Sequence, residues 1–108
     1  MQSFLALPRY PFTRGAIEFA PDEAGIFGLF DGQELIYVGR AEDRTKHSIR
    51  TLLLLHQDGS MGECTMKATH YTWEITIWGA AARETELLAR HFQTNHRQPR
   101  CTDKVKAA

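Results

Sequence analysis

The chain has 108 residues, 13 basic and 13 acidic side chains, and 43% hydrophobic residues. This length supports one domain with one modest core, and the composition is that of an ordinary globular protein. The formal net charge of zero argues against a protein whose whole surface is basic and binds nucleic acid. No apolar run approaches the ~20 residues that cross a bilayer. The N-terminus also lacks the charged and apolar regions of a signal peptide.

The cysteines and the distribution of charge add two expectations. Cys64 and Cys101 are too few for a disulfide framework or a four-cysteine zinc site, so we expect free thiols and a cytoplasmic location. From Arg83 onward, six basic residues stand against three acidic ones. This excess indicates either a local basic patch or a solvated helix of mixed charge, and the sequence favours neither.

The N-terminal half predicts an extended segment followed by a hairpin. Residues 1–23 hold three of the four prolines and form an extended lead-in, with an edge strand expected around 15–19. Apolar runs at 26–30 and 35–38 flank Asp31-Gly32, a dipeptide that accepts positive φ and closes hairpins. Glycine within such runs is typical of a packing position or of a close approach by a backbone or ligand.

The remainder predicts a helix, a strand and a second helix. Ser48 can cap a helix that runs to about His56, and residues 57–67 are expected to be a loop. Strict alternation over 69–78 predicts a strand with an aromatic face, and strong helix formers over 80–96 predict the clearest helix. Pro99 ends that helix region. We therefore predict an α+β fold, a small three-stranded antiparallel sheet flanked by helices, with the domain proper at 24–103 and a tail at 104–108.

Glu84 is the most informative acidic residue. Residues three and four apart share a helix face, so Glu84 lies with Leu87 and Leu88 on the apolar stripe. An unpaired buried carboxylate is expensive, so a metal ion, an arginine or a tyrosine hydroxyl is expected beside it. The alternative is a rim position in the first helical turn, where an acid favours the helix dipole. By the same spacing Glu86 pairs with Arg83 and Arg90 towards solvent.

Three further polar residues are candidates for a site, and each also has a structural interpretation. His56 falls at the end of the apolar stripe of its helix, where a histidine is more often structural than catalytic. Arg50 lies about 120° around that helix from His56. Tyr37 lies on a predicted strand and can face either the core or a site. Neither a phosphate-binding glycine loop nor a Ser-His-Asp signature is present.

The order of these motifs resembles the GIY-YIG nuclease superfamily. Gly-Ile-Phe at 25–27 and Tyr-Val-Gly at 37–39 look like the hairpin signature of that family. The series continues with "SIR…L..H" at 48–56, the aromatic strand, "ARETELL" at 82–88 and "QPRCT" at 98–102. The resemblance covers roughly residues 24–103, and it is closest to the small stand-alone members.

The resemblance implies hydrolysis of a DNA phosphodiester with one divalent cation, Mg²⁺ or Mn²⁺. It assigns Glu84 as the metal ligand, Tyr37 as the second family tyrosine and His56 as a catalytic histidine. Oxygen ligands suit a hard cation, which polarises the phosphate. Phe27, Gly39 and Arg40 are expected to contact substrate, and DNA is the expected partner. Cutting both strands often takes two copies of a small nuclease, so a homodimer is one expected assembly.

Two departures from the family pattern leave the activity open. Phe27 stands where the family has its first tyrosine, and Leu52 stands where an arginine is expected. Arg40, Arg44 and Arg50 are the candidates to replace that arginine, and we assign Arg50 to the catalytic residues. Loss of a charged group that acts in the transition state commonly costs ~10²-fold or more. The alternatives to a nuclease of full or reduced activity are therefore a degenerate domain that binds nucleic acid without cutting it, or a protein-interaction domain.

Overall fold

The computed structural model describes residues 7–42 and 46–105. Its strands are β1 (Tyr10–Pro11), β2 (Gly25–Asp31), β3 (Glu34–Ala41) and β4 (His70–Ile75). Its helices are α1 (Arg14–Ile17), α2 (Ile49–Gln57), α3 (Glu63–Met66) and α4 (Ala80–Asn95). The strands form one antiparallel sheet in the order β1-β4-β2-β3, which confirms the predicted α+β class.

The hairpin between β2 and β3 forms at the predicted turn. Asp31 pairs with Glu34, and Gly32 between them has a φ of 61°, a conformation that favours glycine. The register shifts between Leu29 and Phe30, which leaves Ile36 as the extra residue of a β-bulge on β3. β3 is an edge strand of the sheet.

The sheet is covered on both faces, and each face has its own core. The α2 face joins side chains of the strands to α2, and Phe27, Leu29, Ile49, Leu53 and Tyr71 lie at its centre. The α4 face packs Ile26, Phe30, Leu35 and Val38 against Ala80 and Leu87 of α4. This burial of both faces explains why β2 is apolar at nearly every position rather than alternating.

The lead-in differs from its prediction. The sheet has four strands rather than three, because Tyr10 pairs with Tyr71 and adds a two-residue strand beside β4. The edge strand expected at 15–19 is wrong, since Arg14–Ile17 is a short helix. The Thr13 side chain accepts a hydrogen bond from the Ala16 N–H at 3.2 Å and so caps that helix.

The other predicted elements hold with small changes. Ser48 caps α2 by accepting from the Thr51 N–H at 3.1 Å, as expected. The strand predicted at 69–78 stops at Ile75, because Ile75 pairs with Gly25, where β2 begins. A short helix, α3, interrupts the predicted loop at 57–67.

The free thiols expected from the sequence are wrong. Cys64 of α3 and Cys101 of the C-terminal segment form a disulfide that spans 37 residues of sequence. The C-terminal segment is held further by a hydrogen bond from the Cys101 N–H to the Ile36 carbonyl at 2.9 Å. The segment therefore covers β3 at its bulge. Among the described residues, no helix has the length and apolar character needed to cross a membrane.

Candidate functional site

An aromatic cluster on the α2 face includes Tyr37, the first residue of the Tyr-Val-Gly stretch at 37–39. The Tyr37 ring is 6.1 Å from the Phe27 ring and 5.1 Å from the His56 ring, between centroids. Phe27 and His56 rings are 5.5 Å apart. The hairpin and α2 thus bring together three of the residues that the sequence singles out.

His56 is buried within this cluster. Its Nδ1 is 2.8 Å from the Thr65 hydroxyl, so the histidine links α2 to α3. Burial lowers the pKa of His56 to about 4, so the imidazole is neutral at pH 7. A neutral imidazole can exchange hydrogen bonds, but it supplies no positive charge to a phosphate.

Gly39 is explained by the ring of Phe27. A Cβ on Gly39 would lie 2.3 Å from Cζ of that ring, so a larger residue does not fit there. Phe27 is 1% exposed. The close approach that Gly39 indicates is therefore core packing. Neither Gly39 nor Phe27 has the exposed surface that the expected contact with substrate would need.

Arg50 is engaged elsewhere. Its Nε donates to the Ala20 carbonyl at 2.8 Å, and its backbone N–H donates to the Pro21 carbonyl at 3.1 Å. These bonds fasten α2 to the segment that precedes β2. The structure does not show Arg50 in contact with Tyr37, His56 or Glu84, and Arg44 lies outside the described residues.

Glu84 forms an ion pair with Arg40 at the edge of the sheet. Arg40 Nη1 donates to Glu84 Oε1 at 3.3 Å, and Arg40 Nε lies 3.1 Å from Glu42 Oε1. The Glu84 side chain is 21% exposed. Of the three partners expected for this carboxylate, the arginine is the one found, and Leu87 and Leu88 flank it on the α4 face as predicted.

Electrostatics connects this pair to Tyr37. Burial raises the pKa of the Tyr37 hydroxyl, the Glu84 charge raises it further, and the Arg40 charge opposes both. Burial also raises the pKa of Glu84, where Arg40 opposes and Glu42 adds to the shift. The Tyr37 ring packs on the α2 face and Glu84 belongs to the α4 side, so their electrostatic interaction acts across the edge strand β3.

A second ion pair on the α4 face was not anticipated. Arg83 is 9% exposed and binds Glu74 in a bidentate manner, with Nε and Nη2 at 2.8 and 2.9 Å from its carboxylate oxygens. Glu86 and Arg90 extend it, as predicted, but the expected solvent-facing position of Arg83 is wrong. The available signal was the spacing of Ala80, Arg83 and Leu87, which places the arginine on the buried stripe.

The fit of a divalent cation depends on Glu84 and Glu42. Their carboxylate oxygens are the ligands that Mg²⁺ prefers, and the ion usually keeps several waters. Within the described residues, no group of three or more His, Cys, Asp and Glu side chains could hold a metal. A cation at Glu84 would therefore rely on water and substrate oxygens, and it would compete with Arg40 for the carboxylate.

Comparisons with known proteins add no assignment. No protein-family model matches the chain, and neither the curated proteins nor the solved structures contain a match.

Proposed function

We propose that this protein is a metal-dependent DNA endonuclease of the GIY-YIG type, in which Arg40 supplies the guanidinium that Leu52 cannot. One observation carries the proposal: Arg40 Nη1 lies 3.3 Å from Glu84 Oε1, and the charges of both residues act on the pKa of Tyr37. The charged groups thus converge at one edge of the sheet although the sequence separates them.

In this proposal each side chain has a separate task. Arg40 binds the non-bridging oxygens of the scissile phosphate, where its charge is most useful as negative charge develops. The Tyr37 hydroxyl is protonated at neutral pH, its raised pKa disfavours ionisation further, and it can hydrogen-bond the attacking water or the phosphate. Glu84 and Glu42 would hold the cation, which supplies Lewis-acid activation of the phosphate.

Plasmid nicking tests the proposal. With Mg²⁺ or Mn²⁺ the protein nicks supercoiled DNA, and Glu84→Gln and Arg40→Gln each lower the rate by ~10²-fold or more. Glu86→Gln is the matched control, because it removes a carboxylate two residues along α4 whose partners are Arg83 and Arg90. Cutting that survives Glu84→Gln, or no cutting by the wild type with either ion, contradicts the proposal.

A second candidate is a domain that binds nucleic acid without cutting it. The specific observation is that Phe27 and Leu52 are 1% and 8% exposed, so apolar packing occupies both positions where the family has polar groups. This candidate predicts retention on DNA in the presence of a chelator, with affinity that falls as salt rises. Unchanged electrophoretic mobility of DNA at low salt would remove it, and metal-dependent cutting would favour the first proposal.

A further inference from the structure

The disulfide between Cys64 and Cys101 borders an open groove between the α3 region and the C-terminal segment. The groove encloses about 750 Å³, and Cys64 lies in its wall. Cys101 is fully buried, whereas Cys64 is partly exposed. A reagent from solvent therefore reaches the disulfide from the Cys64 side.

The groove beside Cys64 is cationic. Three basic side chains line it, Lys67, Arg100 and Lys104, against one acidic side chain, Glu63. Arg100 is already bound to Asp31 and Glu34 of the hairpin. Lys67 and Lys104 form no ion pair with any residue that the structure describes, so their charge is available to a ligand.

The backbone at Gly62 packs closely against the C-terminal segment at one wall of this groove. Gly62 has a φ of 112°, and a Cβ there would lie 3.0 Å from the Lys104 carbonyl oxygen. The C-terminal segment consequently passes close to the start of α3 at this point, and Gly62, Lys67 and Lys104 all line the groove. Positive charge around a disulfide favours the approach of a thiolate, which is the attacking species in exchange.

We propose that this groove is an exchange site for small anionic thiols, and that Cys64 receives the adduct. A thiolate attacks Cys64 Sγ, the bond between the two cysteines breaks, and its electron pair leaves with Cys101 Sγ, which takes a proton from solvent. The incoming thiol, which gave up its proton on forming the thiolate, is oxidised to a mixed disulfide, while Cys101 is reduced and the number of protons is unchanged. A second thiol can then release Cys64 as a thiol and leave as a symmetrical disulfide.

Three small thiols of different charge test the proposal on the intact oxidised chain. The probes are 2-mercaptoethanesulfonate, 2-mercaptoethanol and cysteamine, and mass spectrometry after alkylation measures the rate of opening per thiolate. We expect the anionic thiol to react fastest and the cationic one slowest, with a factor of roughly three for each nearby ammonium group at low salt. The rates should converge at ~1 M salt, where screening acts within a few ångströms.

Variants and peptide mapping complete the test. Lys67→Gln and Lys104→Gln should each weaken the preference for the anionic thiol, whereas Lys46→Gln, outside the groove, should leave it unchanged. Peptide mapping should find the first adduct on Cys64. Equal rates per thiolate, an adduct confined to Cys101, or a purified chain without the disulfide would overturn the proposal. None of these measurements depends on nuclease activity.

Discussion

Replacing Gly39 with alanine tests whether core packing requires a glycine at this position of β3. The new Cβ would lie 2.3, 2.8 and 2.9 Å from three atoms of the Phe27 ring. That ring cannot easily move, because Tyr37 and His56 pack against it at centroid distances of 6.1 and 5.5 Å. Overpacking a core costs about 1–3 kcal/mol, and three contacts this short place Gly39→Ala at about 3 kcal/mol.

Urea unfolding at 25 °C, followed by circular dichroism, measures this free energy. A loss of about 3 kcal/mol would also lower Tm by roughly 12 °C or more in a chain of this length. Gly15→Ala is the matched control, because nothing lies within 4 Å of its Cβ and Gly15 is in α1. That variant should be neutral or more stable by up to about 1 kcal/mol.

A double-mutant cycle with Phe27→Leu isolates the contact. The single variant Phe27→Leu should cost about 1–2 kcal/mol because it removes buried apolar volume. In the Gly39→Ala background the smaller side chain relieves the clash, so the two effects should fail to add by about 1 kcal/mol or more. Additive effects, or a Gly39→Ala variant within ~0.5 kcal/mol of wild type, would refute the assignment of Gly39 to packing.

Three other predictions concern the charges and the cross-link. Glu74→Gln should cost about 2 kcal/mol in urea unfolding, because it leaves the buried guanidinium of Arg83 without its bidentate partner, and an unchanged midpoint would contradict this role. The pKa of His56 is lowered to about 4 from about 6.5, so the unfolded chain binds more protons than the folded chain between these pH values. The free energy of unfolding should therefore fall by up to about 3 kcal/mol as the pH drops through this window. The same slope in His56→Gln would assign the effect to another group. Replacing both Cys64 and Cys101 with serine should cost about 4 kcal/mol for a loop of 37 residues, and a loss below ~1 kcal/mol would show that the bond adds little.

The main elements could be predicted because their signals are local. Alternation defines β4, the Ser48 cap defines the start of α2, and helix formers define α4. The helix at Arg14–Ile17 was missed because four residues carry no periodicity, and only the Thr13 cap indicates it. Propensity within so short a segment is too weak to distinguish a helical turn from a strand.

The parts of the site that could not be predicted depend on contacts between distant segments. Glu84 could be placed on the inner side of α4 from its spacing, but its partner Arg40 lies 44 residues away on β3. The disulfide likewise joins α3 to the C-terminal segment across 37 residues. Spacing along one element predicts which face a side chain takes, but it does not predict which other element meets that face.

The edge strand β3 connects the features described above. Tyr37 is supported on the α2 face by His56, while Arg40 meets Glu84 on the α4 side, so the charged groups converge only if this strand keeps its position. The Cys101 N–H binds the carbonyl of Ile36, the bulge residue just before Tyr37. Opening the cross-link would remove one restraint on the segment that makes this bond and would leave the bonds from Arg100 to Asp31 and Glu34. The fold therefore couples the strand that carries Tyr37 and Arg40 to the segment that the disulfide holds against α3.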